Sequence, residues 1–422
     1  MHNKRNLDQS RDESRRKRSR MTKALRRAGL LSIAATAALC AQSAKPAFTT
    51  ILQEGVGLVG GVDGTLYGTF RNQIVSLTPP VSPGGLWTES VLYQFQDSQD
   101  YVTGLVMSPH AGGLPVFYGL TDLGGSSNLG LLFSLTPPAS PDGPWTETDL
   151  YSFSGIGDTS YASNPFGLVE DSNGVFYGVT AGVVQGSLPP TGNPATVFSL
   201  TPPAAPGGSW TQEVLYSFTP SASTTYPLGG VLLRSGPGGS PVLYGANVFE
   251  GTVYELAPPA VPGGAWTTTV LCAGGSGSLA LGKHGVLYGT IAFGGVDENG
   301  SVFSLAPPAK AGDPWIETSL YSVPGYNAVG STASGIAVSP GGIVYATTNS
   351  NSGGYPGGSV FSLTPPKETG DPWAERVVQA FPGSTKFTKG ASPGGLTWIG
   401  GVLYGSTEGG TSNIGTVFAV VP

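Results

Sequence analysis

FGLVEDSNGVFYGVT at 166–180, followed after a loop by TVFSLTPPAAPGGSWTQEVLYSF at 196–218, is one unit of a repeat that fills the chain after residue 46. Apolar and β-branched residues alternate with turn residues within the unit, and this pattern predicts short strands. The four predicted strands are Phe166–Asp171, Val175–Thr180, Thr196–Pro202 and Trp210–Phe218. Four short antiparallel strands per unit are typical of one blade of a β-propeller.

Three sequence anchors recur in a fixed order along the chain. A tyrosine after a large apolar residue occurs seven times, at Tyr67, Tyr118, Tyr177, Tyr244, Tyr288, Tyr345 and Tyr404. An apolar run ends in Pro-Pro six times, at Pro80, Pro138, Pro203, Pro259, Pro308 and Pro366, and a shortened GTVFAVVP ends the chain. A tryptophan opens the last strand six times, at Trp87, Trp145, Trp210, Trp266, Trp315 and Trp373.

Seven copies predict an all-β, seven-bladed β-propeller of four-stranded antiparallel blades, formed by residues 46–422 as a single domain. The 66 glycines and 36 prolines among 422 residues suit short strands and tight turns and disfavour long helices. A stacked β-solenoid is the alternative, but its rungs are normally shorter than this period and its ends need caps.

The seventh unit lacks its tryptophan segment, so its blade is one strand short. An open ring would leave unpaired backbone groups at that edge. PAFTTILQ, at Pro46–Gln53, parallels GAWTTTVLC, at Gly264–Cys272, with Phe48 in place of Trp266. We therefore expect this N-terminal strand to pair with the C-terminal blade and close the ring.

The N-terminal region predicts export. Residues 21–43 combine a cationic stretch, the 12-residue apolar run Ala28–Leu39 and small residues at Ala41 and Ser43, as a secretory signal peptide does. Twelve apolar residues are fewer than the roughly 20 that span a bilayer, so no membrane span is expected in the mature protein. The basic extension 1–20 has two interpretations: an over-extended start, with Met21 as the initiator, or a long signal n-region.

Charge and cysteine usage narrow the function classes. Residues 1–45 hold 12 of the 20 Lys and Arg, which leaves 8 basic and 23 acidic residues after Lys45. An acidic body repels phosphate backbones, so nucleic acid is not an expected partner.

Cys40 lies in the signal and Cys272 stands alone in the mature chain, so stability must come from packing rather than disulfides. The large Leu39 before Cys40 disfavours lipoprotein attachment.

The cycle of G-L-V, L-Y-G-T-T, G-G, G-T-V-F-S-L-T-P-P and W-T-E-x-x-L-Y-S-F resembles the bacterial extracellular tandem repeat known as GloVer, over residues 51–422. The resemblance implies export and an extracellular domain built of repeats. It supplies no reaction, so no catalytic residue follows from it. The chain ends at Pro422 within the last repeat, without an anchoring tail, so surface attachment is not expected. Kelch repeats share the residue types but differ in their order.

In a four-stranded blade, the connection between the second and third strands and the exit to the next blade lie on one face of the ring. The irregular segments all fall there: 121–130, 181–195, 292–300, 349–358 and 407–415. Function is expected on this face, because binding residues concentrate in variable loops.

The weak ligand-binding candidates are Asp122, Glu250, Asp297, Glu298, Tyr355 and Glu408. The acids could meet around the channel mouth, as carboxylates do for glycoside cleavage or calcium binding. Solvated loop charges are the alternative.

Other residues that look chemical are better explained as parts of the fold. Only His110 and His284 remain after the signal, both in predicted turns, so a three-histidine metal site is excluded and no metal site is predicted. No GxSxG, HExxH or phosphate loop is found, and no catalytic residue is assigned. The glutamates two residues after tryptophan, and the recurring Tyr and Trp, are expected to be architectural. Trp398 lies off the tryptophan register and is a candidate channel residue.

Two function hypotheses follow. The first is a non-enzymatic module, secreted by a bacterium to the outside or to the periplasm, that binds an extracellular polysaccharide, a cell-surface component or a protein. The second is a secreted carbohydrate-active enzyme, a glycoside hydrolase or polysaccharide lyase, that uses loop carboxylates. No cofactor is predicted, although loop acids leave calcium open.

Overall fold

The computed structural model describes residues 47–422, with gaps at 53–55, 62–63, 71, 82–85, 97–100, 109–113, 141–142, 155–164, 181–193, 206, 219–229, 248–250, 262, 275–276, 293–294, 297–298, 311, 325–330, 350–356, 369, 382–390 and 410–414. The basic extension and the predicted signal peptide lie outside these residues, as does His110. Phe48–Pro422 form one compact unit.

The described residues form seven four-stranded antiparallel sheets, so the fold is the predicted seven-bladed β-propeller. Blades 1 to 3 consist of β2 (Val56–Gly60), β3 (Leu66–Phe70), β4 (Gln73–Thr78) and β5 (Thr88–Gln94); β6 (Val102–Ser108), β7 (Val116–Thr121), β8 (Leu131–Thr136) and β9 (Thr146–Ser152); and β10 (Pro165–Glu170), β11 (Phe176–Thr180), β12 (Thr196–Thr201) and β13 (Thr211–Ser217). The third repeat thus has the four predicted strands, each shortened or shifted by a residue or two.

Blades 4 to 6 repeat the same order. They consist of β14 (Val231–Ser235), β15 (Pro241–Asn247), β16 (Thr252–Ala257) and β17 (Thr267–Ala273); β18 (Leu279–Leu281), β19 (Leu287–Ile291), β20 (Ser301–Ala306) and β21 (Ile316–Ser322); and β22 (Ser331–Val338), β23 (Val344–Asn349), β24 (Ser359–Thr364) and β25 (Ala374–Ala380). Two 3-10 turns, Pro237–Gly239 and Lys283–Gly285, join the first two strands of blades 4 and 5.

The seventh blade combines the two ends of the chain, as predicted. Its strands are β26 (Ala391–Ile399), β27 (Val402–Gly409), β28 (Thr416–Val421) and β1 (Ala47–Leu52), and they pair in the order β1-β28-β27-β26. β1 therefore takes the outermost place that the fourth strand holds in the other blades. The strand that starts the folded chain supplies the missing backbone partners of the strand that ends it.

A glycine in the second strand of most blades makes room for an aromatic ring from the third strand. In blade 3, Gly178 lies opposite Phe198, and a Cβ on Gly178 would lie 2.6 Å from the ring. The same pairs of glycine and aromatic residue recur as Gly119 and Phe133, Gly245 and Tyr254, Gly289 and Phe303, and Gly405 and Phe418. This fit explains the Tyr-Gly dipeptide in these five blades, whereas in blade 6 Ala346 lies opposite Phe361.

The tyrosine before that position contacts an aromatic side chain of the next blade. The seven pairs, with their ring-centroid distances, are Tyr67 and Phe117 (4.8 Å), Tyr118 and Phe176 (4.9 Å), Tyr177 and Trp266 (6.4 Å), Tyr244 and Trp315 (5.8 Å), Tyr288 and Trp373 (6.4 Å), Tyr345 and Trp398 (5.2 Å), and Tyr404 and Trp87 (6.3 Å). The last pair joins blade 7 to blade 1. The architectural interpretation of these aromatics is confirmed.

Trp398 belongs to this set, so its interpretation as a channel residue was wrong. Its ring stacks on that of Tyr345 at an interplanar angle of 17°, between blades 6 and 7. It takes this place because blade 7, whose fourth strand comes from the other end of the chain, has no tryptophan before that strand.

Glycines in the inner strands let neighbouring blades converge on the centre. Gly167 of blade 3 and Gly230 of blade 4 both have positive φ, at +60° and +72°. A Cβ on Gly230 would lie 2.8 Å from the Cα of Gly167. Side chains do not fit between these backbones, which explains the glycine in the recurring G-L-V motif.

Deletion of residues 46–53 should lower the melting temperature sharply, because it leaves the β28 backbone unpaired and opens the seventh blade. Thermal unfolding of a chain that starts at residue 54 can be compared with one that starts at residue 44, which lacks only the basic extension and the predicted signal peptide. The second chain should melt like the full mature protein. Equal melting temperatures of the two chains would contradict the closure.

Gly178→Ala should destabilise the protein by about 1–3 kcal/mol, because the new methyl group overlaps the ring of Phe198. Denaturant unfolding measures the change. Gly68→Ala is the matched control, since Gly68 lies opposite the smaller Val75 in blade 1 and should cost less. A cost at Gly68 as large as that at Gly178 would show that the ring is not the cause.

Candidate functional site

The two faces of the ring differ in how regular their connections are. All six connections between third and fourth strands have nine residues, and they share one face with the first-to-second strand turns. We call this the turn face. On the opposite, loop face, the connections between second and third strands range from two residues, 71–72, to fifteen, 181–195. Length varies most where the sequence predicted the irregular loops to lie.

Hydrogen bonds fix the bases of these loops. The backbone N–H groups of Phe153, Phe218 and Phe381, just after the fourth strands, donate to the carbonyl oxygens of Gly130, Ala195 and Gly358 at 3.0, 2.9 and 2.9 Å. Each carbonyl belongs to the residue at the end of a variable loop or next to it. A loop of any length therefore starts and ends on the same framework.

Buried hydroxyl pairs lie at the bases of three variable loops, in blades 3, 6 and 7. Thr180 and Thr196 in blade 3, and Thr407 and Thr416 in blade 7, each bring their Oγ1 atoms to 2.7 Å. The hydroxyl of Thr180 also accepts from the N–H of Thr196 at 3.2 Å. In blade 6 the pair is Thr348 and Ser359, at 3.0 Å. Because these groups satisfy one another, the loops can change without leaving buried polar atoms unpaired.

Asp122, the described candidate on the loop face, is partly buried at the end of β7. Its Oδ1 accepts the N–H of Tyr101 at 2.8 Å, and its own N–H donates to the Tyr101 carbonyl at 3.0 Å. Burial raises the pKa of the Asp122 carboxyl, and hydrogen bonds from the N–H groups of Tyr101, Leu123 and Asp122 oppose this effect. The carboxylate thus joins the entry of the first strand of blade 2 to the exit of the second.

The other candidates are not placed relative to Asp122. Glu250, Asp297, Glu298 and Tyr355 lie outside the described residues. Glu408 lies in β27, but its side chain is outside the described part. The backbone position of Glu408 is equivalent to that of Asp122, since Thr407 and Thr121 both close the pairing of second and third strands. A meeting of carboxylates at the channel mouth therefore stays a prediction.

No group of three or more His, Cys, Asp or Glu side chains within the described ranges could hold a metal ion. His284 is exposed in the turn between β18 and β19, as the sequence indicates. Its φ of 57° places it in the left-handed region. Among the same residues, no helix is long and apolar enough to cross a membrane.

Two of the four recurring glutamates, Glu147 and Glu375, lie at contacts between blades, whereas Glu89 and Glu317 are exposed. Glu147 of blade 2 accepts a hydrogen bond from the Tyr93 hydroxyl of blade 1 at 3.4 Å. In the next blade Gln212 takes the same place and accepts from Tyr151 at 2.9 Å. Glu317 is exposed, because the preceding blade offers Cys272 where the others offer tyrosine.

Glu375 of blade 6 occupies the equivalent position, where its carboxylate is partly buried close to Tyr321 of blade 5. Burial raises the pKa of Glu375, and one of its carboxylate oxygens, Oε1, has no hydrogen-bond partner among the described residues. Burial and then the nearby Glu375 charge raise the pKa of Tyr321 in blade 5 to about 12. The folded protein therefore disfavours ionisation of Glu375.

Glu375→Gln should raise the melting temperature at neutral pH, because the amide keeps the contact without the buried charge. A raised folded-state pKa adds stability below the unfolded value of about 4.3 and loses it as pH rises through the folded value. The gain from glutamine should therefore be smallest near pH 4 and reach a plateau above the folded value. Thermal melts across this range test it, with exposed Glu89→Gln as the control. A gain that does not depend on pH would exclude the charge as its cause.

Two groups of residues were not found by sequence reasoning. Between blades 6 and 7, the Ser334 hydroxyl lies 2.8 Å from the Thr347 hydroxyl, 3.2 Å from Asn349 Oδ1 and 3.3 Å from the Pro393 carbonyl. In blade 4, Arg234 donates to the Tyr244 hydroxyl at 3.3 Å. Residues that occur once in seven copies leave no repeat signal, and only a basic residue in an otherwise apolar inner strand could have indicated Arg234.

Searches against models of protein families and against curated proteins find no match. Among solved structures, the chain is similar to the periplasmic gluconolactonase of Pseudomonas aeruginosa, at 14% identity over 89% of this chain and 96% of that chain, with a TM-score of 0.48. It is also similar to a luciferin-regenerating enzyme, at 13% identity over 72% of this chain and 88% of that chain, with a TM-score of 0.44. Neither likeness bears on what this chain binds or whether it catalyses a reaction.

Proposed function

We propose that this protein is an exported, non-catalytic binding module of the GloVer type, which presents variable loops on the loop face of a rigid ring. The observation on which the proposal rests is the contrast between the two faces. Six nine-residue connections keep one length on the turn face, while loops of two to fifteen residues leave from hydrogen-bonded bases on the loop face. The first-to-second strand connections of the turn face also differ, but only between two and seven residues. Variation that is greatest on one face of a fixed scaffold is typical of recognition surfaces.

The residues used for packing support the same conclusion. The tyrosines and tryptophans that could stack on sugar rings contact the neighbouring blade, and Glu147 accepts a hydrogen bond there. Recognition then falls to residues that do not repeat, such as Asp122, Asp297, Glu298 and Tyr355. The partner class we favour is an extracellular polysaccharide, with a cell-surface component or a protein as the alternatives. The signal-like segment 21–43 supports export to the outside or the periplasm.

The second candidate function is a carbohydrate-active enzyme, and one observation favours it. Asp122 lies on the loop face and burial raises the pKa of its carboxyl, as acid catalysis requires. A glycoside hydrolase or lyase would need a second carboxylate near it, for which Glu408, Glu250, Asp297 and Glu298 are the candidates. Calcium bound by the same loops would be compatible with either function.

Replacement of loop 181–195 by a two-residue connection should abolish binding of the glycan that stabilises the mature chain most, without unfolding the ring. Differential scanning calorimetry across a glycan panel, with calcium or with chelator, identifies that glycan and measures the loss. Lys310→Ala, on the turn face, is the control and should bind normally. Glycan binding that survives the replacement of loop 181–195 would contradict the role of that loop, and binding that also survives replacements at 292–300 and 350–358 would contradict the loop-face assignment.

Product analysis separates binding from catalysis. The proposal predicts that the stabilising glycan is recovered intact after incubation with the protein. Cleavage of the glycan that disappears in the Asp297→Asn, Glu298→Gln double variant would instead establish the enzyme.

A further inference from the structure

Arg234 is an unusual residue in this ring. The chain has 8 Lys and Arg after Lys45 against 23 Asp and Glu. Among the described inner strands, Arg234 at the end of β14 is the one basic residue, and it is partly buried on the turn face. Burying part of a guanidinium is costly unless its N–H groups find acceptors.

Two neighbours fix the guanidinium. Nη1 donates to the hydroxyl of the buried Tyr244 at 3.3 Å. On the other side lies the turn of blade 5, where a Cβ on Gly285 would lie 2.8 Å from Arg234 Cζ and 2.9 Å from Nη1. Gly285 also has a φ of +77°, in the left-handed region that favours glycine. The guanidinium thus lies against the backbone of the next blade, and its position is set before any ligand arrives.

A carboxylate, that of Glu255, acts on the same tyrosine hydroxyl as Arg234. Glu255 on β16 lies opposite Tyr244, and its charge raises the pKa of the tyrosine hydroxyl while Arg234 lowers it, with burial as the largest effect. Glu255 and Arg234 therefore act on one hydroxyl. A guanidinium has five N–H donors, and in the described part of the chain one hydrogen bond to Tyr244 accounts for only one of them.

The blade 5 turn that approaches Arg234 contains two further basic residues. Lys283 and His284 are exposed in the same blade 5 turn and directly precede Gly285. His284 has a positive φ of 57°, so the turn is tightly curved where it meets Arg234. Because the protein as a whole is acidic, its overall electrostatic field does not attract anions. Anion binding at this turn must therefore come from local contacts with the basic side chains.

We propose that Arg234, assisted by Lys283 and His284, binds an oxyanion on the turn face between blades 4 and 5. The planar guanidinium fork matches the two oxygens of a carboxylate, phosphate or sulfate group, and a fixed arginine binds such a group better than a mobile lysine. The site goes beyond the proposed function, since it lies on the opposite face from the variable loops. A ring that binds on its loop face could thereby hold a second, anionic ligand on its turn face.

Titration with glucuronate, inorganic phosphate and inorganic sulfate tests the proposal, with glucose as the neutral control. Amide NMR shifts report the site and isothermal calorimetry the affinity. At least one anion should shift the resonances of residues 283–286, and Arg234→Gln should weaken its binding about tenfold or more. The anion that binds tightest distinguishes a carboxylate ligand from a phosphate or sulfate ligand.

Variants that preserve the fold distinguish a loss of anion binding from unfolding. Arg234→Lys retains the charge but loses the fork, and should still weaken binding severalfold. His284→Asn tolerates the left-handed backbone, and combined with Lys283→Gln it should also weaken binding. Lys310→Gln, on another turn-face connection, should have no effect. The proposal is overturned if no anion shifts residues 283–286, or if Arg234→Gln and Arg234→Lys bind as the unmodified protein does. Neither outcome depends on the loop-face glycan.

Discussion

The contact between the tyrosine of one blade and an aromatic side chain of the next is the interaction on which the ring depends. Each blade is a small sheet that cannot bury both of its faces alone, and stacking on a neighbour buries them. Aromatic side chains suit this task because each removes about 150–250 Å² from water. The sequence of contacts returns to its start when Tyr404 of blade 7 meets Trp87 of blade 1. The pairing of β1 with β28 supplies the backbone hydrogen bonds for the same closure.

Most strands of the propeller could be predicted because the same sequence pattern occurs seven times. Strand positions followed from alternation and turn residues, and the closure followed from the absence of one tryptophan segment. The role of the glycine after the tyrosine could not be read from one strand, since it depends on Phe198 and its equivalents across the sheet. Trp398 was misplaced for a related reason. A residue outside the register gives no indication of which neighbour it meets, and here the neighbour is Tyr345 of the previous blade.

The candidate site was far less predictable. The sequence identified the face and the loops, and strand pairing confirms where those loops begin and end. It could not show that Asp122 bonds to the backbone of Tyr101, because strand pairing brings the two residues together but does not give the direction of the carboxylate. Nor did it identify Arg234, whose environment is formed by Tyr244 of its own blade and Gly285 of the next. Repetition reveals architecture, whereas specific sites arise from the residues that depart from it.

The central claim, a ring closed by its two termini with function left to its loops, is tested most directly by hydrogen exchange of the closing strands. Mass spectrometry of the mature protein can compare peptides that cover 47–52 and 416–421 with peptides from internal strands such as Thr196–Thr201. Closure predicts that amides in both terminal segments are protected and lose protection together with the internal strands on denaturation. Exchange of 47–52 at the rate of an unstructured chain, while the internal strands stay protected, would contradict the closed ring.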